Sequence, residues 1–274
     1  MSSVSTFADA FEVVLMLFGL VVLWREALSP AARARTAAPL LPHWEILPVN
    51  FLLLLWAVYV AGFLVQFVVF QWLKSAAHLT PDMRLMFASA GTDAGMLVAW
   101  RFAQPRLDAK PIPGQAPPAR KNPWPCGALT FLAAMPVVAA AGFVWQNGLQ
   151  ALGFPLEKQE SVDIFANARA PLWLAFLFGF AVILAPVTEE LVHRGAIFRY
   201  ARGRLPRWLA LLGPALLFAG LHLNLASFAP LAALGLLFSL VYERTGDLRV
   251  TMIAHGLFNL NTAVMIFAGI GTSG

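Results

Sequence analysis

Cysteine is almost missing from this chain of 274 residues. Cys126 stands alone, so no internal disulfide can form and no zinc site built on several thiolates is available. Charge is scarce as well: 12% of residues are charged and 59% are hydrophobic, a balance that a soluble domain, with about a quarter of its residues charged, does not have. No lysine or arginine precedes the first apolar stretch. The positive n-region of a secretory signal is therefore lacking there, and the stretch reads as a span to be kept. The net charge of +5 would raise nucleic acid as a partner in a soluble protein; in a chain this apolar it belongs to the loops between spans, and no nucleic-acid partner is expected. No internal repeat is evident.

What the chain has in abundance is long apolar runs. A helix needs about 20 such residues to cross the hydrocarbon core of a bilayer, and eight segments fit, at about 7–24, 49–72, 85–101, 127–146, 171–201, 208–225, 228–243 and 249–270. The expected fold is an all-α polytopic transmembrane helix bundle of about eight spans with a polar intramembrane cavity. The fifth segment is too long for one plain crossing, and Pro186 within it removes a backbone donor, which predicts a kink. Residues 105–125 carry seven prolines among basic residues and read as an extended cytoplasmic linker. It divides three N-terminal helices (1–104) from a five-helix core (126–274).

The basic residues set the orientation. Fifteen of the 19 fall in alternate loops, leaving only Lys74, Arg84, Lys158 and Arg169 on the other side. The positive-inside rule then puts the basic loops in the cytoplasm and both termini outside. Fifteen arginines against four lysines, with much alanine, point to a GC-rich bacterium and hence to its inner membrane.

Ionisable groups inside hydrocarbon cost a few kcal/mol each, so those that persist usually face the bundle interior and have a task. The N-terminal helices offer Asp9, Glu12 and Asp93. The C-terminal half offers Glu189, Glu190, Arg194, His222, His255 and Asn259, and the chemistry is expected there. Glu190 and Arg194 are four apart on a helix and favour pairing. Glu189 is rotated from Glu190 by about 100°, free to point into a cavity as a general base. Phe218 and His222 share one helix face, as do His255 and Asn259, and the three polar faces lie at comparable depth. Other readings stay open: an ion pair that only sets helix register, histidines bonded only to backbone carbonyls, Phe218 as packing, and Tyr242 and Glu243 beside Arg244 as an interfacial anchor.

The pattern Glu189-Glu190-x-x-x-Arg194, Phe218-x-x-x-His222 and His255-x-x-x-Asn259, in that order on successive apolar segments, resembles the CAAX protease and bacteriocin-processing family, which includes the Ras and a-factor converting enzyme. Each motif alone is weak; three in order and in membrane context are specific. The resemblance spans roughly residues 125–270 and leaves the N-terminal helices uncovered. It implies a glutamic-type intramembrane endopeptidase in which Glu189 and His222 activate a water, Glu190 assists or braces, and His255 and Asn259 receive the oxyanion. Arg194 would hold the acidic side of the motif in place, with Phe218 as structural support. It implies no metal and no organic cofactor. The partners it implies are the lipid bilayer and a peptide or protein substrate at the membrane, prenylated in one branch of the family and unmodified in others.

Rival chemistries are a zinc site using two histidines and two glutamates, for which the HExxH pattern is absent and only the Glu190 to His193 spacing remains; a rhomboid-type serine at Gly271-Thr272-Ser273-Gly274, ill placed at a terminus; and an aspartyl pair, for which Thr245-Gly246-Asp247 lies in a charged loop. The rival from another class is a non-catalytic immunity or scaffold protein that binds a peptide in the same cavity. A transporter would need paired broken helices in two related halves.

Overall fold

The computed structural model describes residues 3–34, 41, 44–107, 122–157 and 160–268. The string 271–274 and most of the basic, proline-rich stretch, 108–121, lie outside the described residues. Nine helices are described: α1 (Ser3–Leu23), α2 (Pro48–Leu73), α3 (Pro81–Leu107), α4 (Trp124–Ala151), α5 (Glu160–Asn167), α6 (Pro171–Arg202), α7 (Arg207–Leu221), α8 (Phe228–Thr245) and α9 (Leu248–Phe267). Helix α1 runs on through a wide turn, Trp24–Leu28, into a last short turn, Pro30–Ala34. Proline opens α2 and α6 and lies in the first turn of α4, where its missing N–H would be unpaired in any case.

The protein is an all-α integral membrane bundle. Five helices are long and apolar enough to cross a bilayer, those built on α1, α2, α4, α6 and α9. The other three expected segments are helical too, with α7 a shorter apolar helix. The apolar runs did not announce α5, a short amphipathic helix that buries Ile164 and Phe165 beside Trp173, Leu177 and Ala263. Helix α3 also continues through Pro105 to Leu107.

Two close helix pairs build the bundle: α1–α4, which packs on α8 and α9, and α2–α3, which packs on α6. Helix α1 lies on α4, with Gly19 pressed against the Leu132 carbonyl, while α2 and α3 pair closely where a side chain at Gly95 would sit 2.7 Å from the Ala61 oxygen. Small residues at such crossings let backbones approach where lipid gives no hydrophobic drive. Helix α3 runs alongside α6, Phe87 on Trp173 and Phe176 at one end and Trp100 beside Gly195 at the other. The segment before α2 tucks under the far end of α6: Trp44 and Ile46 are buried, Arg204 donates to the Ile46 carbonyl, and the Arg199 guanidinium lies 5.0 Å over the Trp44 ring.

Glu243 differs from the interfacial anchor that its neighbour Arg244 suggests. It is only 2% exposed and clamps Arg202 and Arg207, the latter at 2.7 Å. The end of α8 is thereby stapled to the α6–α7 turn. Helix α8 then stops at Gly246, which takes φ +64, and α9 starts at once with the Asp247 carboxylate accepting the Arg249 N–H. Only glycine adopts that φ at no steric cost.

Pro186 acts by widening α6 rather than by a plain kink. The backbone takes π geometry over Phe180–Leu184, and the Ala185 N–H reaches back to the Phe180 carbonyl. The Ala181 carbonyl thus loses its usual donor, and the donor one residue further on would be Pro186, which has none. Helix α9 meets this spot: Asn259 Nδ2 donates to the Ala181 oxygen at 2.8 Å. Gly256 permits the approach, since a Cβ there would stand 2.5 Å from the Val182 oxygen. Gly256→Ala is therefore expected to cost about 1–3 kcal/mol by overpacking against backbone, read as a lower unfolding temperature of the purified protein in detergent. An unchanged temperature would refute the close α6–α9 contact.

Candidate active site

Between the wide turn at Phe180–Leu184 and a second at Leu191–Phe198, α6 has one regular stretch, Ala185–Glu190. It ends on the two adjacent glutamates, and π turns of this kind recur at functional sites because they re-aim side chains. Glu190 points inward and is fully buried, whereas the Glu189 side chain keeps 30% of its exposure. Their roughly 100° separation gives one carboxylate to the packing and the other to an accessible space.

Glu190 is held by charge. Arg194 Nη1 donates to its Oε1 at 2.7 Å, Arg194 Nη2 donates to the Gly235 carbonyl of α8 at 3.2 Å, and the guanidinium is sandwiched by Phe218 at 4.7 Å and Phe238 at 5.3 Å. A cation over aromatic faces is favoured, most of all where water is excluded, and Arg194 is 1% exposed. His255 completes the group. Its Nδ1 lies 3.0 Å from Glu190 Oε1, so that nitrogen is the donor to a carboxylate that only accepts. Its Nε2 then faces Glu189 Oε2 at 3.7 Å. Glu189 Oε2 is itself buried with no hydrogen-bond partner among the described residues.

His222 caps the end of α7, with Nδ1 2.8 Å from the Phe218 carbonyl. A carbonyl only accepts, so Nδ1 carries the hydrogen and the neutral ring leaves Nε2 with its lone pair. The Phe218 ring is shared ground: His255 at 6.1 Å and His193 at 5.2 Å meet it near perpendicular, and His222 at 4.8 Å is inclined at 66°. Leu223, next after His222, is 93% exposed and takes φ +50, a strained value for a leucine that turns the chain sharply away.

The structure thus brings Glu189, Glu190, Arg194, Phe218 and His255 into one contact group and sets His222 on its aromatic side. No hydrogen bond or ion pair joins His222 to Glu189 among the described residues. Asn259 comes to the group's edge with one amide N–H committed to Ala181 and the other N–H left over. Three participants escaped the sequence reading. His193, weighed only for metal spacing, is 6% exposed, and its Nδ1 has no hydrogen-bond partner among the described residues; Gly235 supplies a carbonyl; and Phe238 covers Arg194 and lies 5.6 Å from His255. The last two lie on a helix without a motif, where no sequence signal pointed to them. Among the described residues no group of three or more His, Cys, Asp or Glu is disposed to hold a metal ion.

The fold and this group define a membrane-embedded helical bundle with a buried acid–base centre. Comparison with known proteins then shows what part of the chain is similar to. Residues 171–261 match the family described as Type II CAAX prenyl endopeptidase Rce1-like, a segment that contains all three motifs from Glu189 to Asn259. The resemblance read from those motifs therefore holds, over a shorter stretch than 125–270. A further match is to UPF0177 protein YbdI of Lactococcus lactis subsp. lactis (strain IL1403), 29% identical over 111 residues, which takes in 40% of this chain and 58% of that relative. No solved structure matches the chain.

Arg194→Leu removes the cation from a fully buried carboxylate. Breaking such a pair on one side costs about 3–5 kcal/mol, so this variant is expected to unfold at a much lower temperature than wild type. Glu190→Gln with Arg194→Leu together should recover part of the loss, and a double variant no better than the single one would deny the pair its structural part.

Proposed function

We propose that the protein is a glutamic-type intramembrane endopeptidase that hydrolyses a peptide bond of a membrane-associated protein or peptide. The observation that carries this reading is the division of labour between adjacent glutamates: Glu190 paired with Arg194 and His255, Glu189 accessible, without a lysine or arginine of its own and met only by His255 Nε2 at 3.7 Å. The family match is to a peptidase family by description, and it agrees.

In the proposed reaction Glu189, assisted by His222 beside it, activates a water. As the water oxygen bonds to the substrate carbonyl carbon, its proton passes to Glu189 and the carbonyl electron pair moves onto oxygen. The oxyanion is received by His255 Nε2–H, once that ring carries two protons, and by the spare N–H of Asn259. Glu190 balances the charged His255 ring through Nδ1 and Arg194 holds Glu190 still. The C–N bond then breaks, and Glu189 returns its proton to the leaving amine. No metal and no covalent intermediate takes part.

The part 126–274, five apolar helices with the short α5 added, is proposed as the catalytic core, with the helices before it as its support. The proposed site of action is a bacterial inner membrane, with the basic loops in the cytoplasm and both termini outside. Since bacteria generally lack protein prenylation, an unmodified peptide is the favoured substrate.

The test is cleavage of a peptide pool with prenylated and unmodified members by the purified full chain in detergent, with and without a chelator. Wild type should cleave, a chelator should leave the rate unchanged, and Glu189→Gln should lower kcat by about 100-fold or more, the usual loss for a general base. Chelator-sensitive cleavage or normal turnover by Glu189→Gln would overturn the mechanism. Inactive wild type would overturn the peptidase assignment for that pool.

A further inference from the structure

Helix α3 lies outside the segment that matches the family, yet it places a carboxylate beside the candidate centre. Its contacts with α6 fix the register. Phe87 rests on Phe176 at 4.5 Å and Trp100 stands beside Gly195, so the two helices run parallel and the middle of α3 is level with Ala185–Glu190, against which it packs. Asp93, Met96 and Trp100 follow one another at three and four residues, one face of a helix. Met96 and Trp100 of that face pack with Val192 and Ala196 of α6. Asp93 is the next position up the same face, which sets it level with Glu189.

Nothing structural explains this acid. It is half-buried in a helix of the membrane bundle and takes part in none of the ion pairs given by the described residues. The buried cation of the centre, Arg194, is spent on Glu190, Gly235 and two rings. A carboxylate kept at membrane depth without a cation carries a cost that packing does not return. Glu189 beside it has a buried oxygen with no partner. Two carboxylates from different helices, neither accepting a hydrogen bond given by the described residues, are complementary to one molecule with two O–H donors, which is water.

We propose that Asp93 is a water-positioning residue of the active centre, accepting one hydrogen of the attacking water while Glu189 accepts the other. The inference rests on the peptidase reading. In the reaction Asp93 neither gains nor loses a covalent bond. It fixes the water so that, as one O–H proton passes to Glu189, the lone pair of the oxygen points at the substrate carbonyl carbon. The remaining O–H stays hydrogen-bonded to Asp93 until the C–N bond breaks. The α2–α3 pair is on this account part of the site: the segment that carries the three motifs is incomplete without it.

Two measurements on the purified full chain test this, one without activity. In a Cys126→Ser background, Asp93→Cys with Glu189→Cys should cross-link through a one-carbon bis-methanethiosulfonate, while Val98→Cys with Glu189→Cys should not, because Val98 faces outward at 58% exposure. Turnover is then compared at matched unfolding temperature. Asp93→Asn should lower kcat by about 10- to 100-fold with KM within about twofold. Asp93→Glu should recover part of that loss, and Asp93→Asn should cost nothing further in a Glu189→Gln background. Absence of the Asp93–Glu189 cross-link, or unchanged kcat in Asp93→Asn, overturns the proposal while wild-type cleavage keeps the peptidase reading. Cross-linking without wild-type cleavage overturns the peptidase reading and the water-positioning role with it, and leaves only the juxtaposition.

Discussion

A buried carboxylate and a buried guanidinium, with an imidazole on the same carboxylate oxygen, are the constraint around which this bundle is arranged. Glu190 and Arg194 are each at most 1% exposed, and neither is tolerable alone in such a place. Four helices converge to make the pair acceptable. Helix α8 contributes the Gly235 carbonyl and the Phe238 ring, α7 the Phe218 ring, α9 the His255 donor, and α6 both ions. Each contact is at once a packing contact and a means of setting the position of a chemically interesting neighbour. Glu189 is where it is because Glu190 cannot be elsewhere.

The same economy holds where α6 meets α9. Pro186 deprives carbonyls of their donors, Asn259 gives one back, and Gly256 lets the two backbones close enough for it. The amide that closes this gap has one N–H still to give, close to His255. Structural repair and proposed oxyanion binding thus share a single side chain, so an Asn259 substitution acts on both and its effect on rate does not by itself measure catalysis.

Much of this was legible from residues alone. Eight apolar runs became eight helices, and the i,i+4 spacing of Glu190 and Arg194 became a 2.7 Å contact. Spacing within one helix is local, and helix geometry converts it directly into contact. The remainder was not local. That α3 lies parallel to α6 depends on Phe87, Trp173, Phe176 and Trp100, aromatics indistinguishable in sequence from lipid-facing ones. The clamp of Glu243 on Arg202 and Arg207 crosses from one helix to a distant turn, and beside Arg244 it looked like a surface feature. The π turns had only Pro186 as a sign, and a proline announces disturbance without saying which kind. His193 and Asp93 carried no motif, so only the fold gives them neighbours.

A π turn amounts to one residue too many in an α-helix. Every side chain after Phe180–Leu184 therefore sits about 100° away from where an unbroken helix would put it, and the two glutamates inherit that rotation. The neighbouring helices rely on that extra residue, since Asn259 fills the gap it opens at the Ala181 carbonyl. Substitutions at these positions can be absorbed one at a time. A one-codon deletion there cannot, since the shorter, more regular helix it would restore aims Glu189 and Glu190 at the wrong partners; this stretch of α6 should keep its length among descendants even where its residues drift.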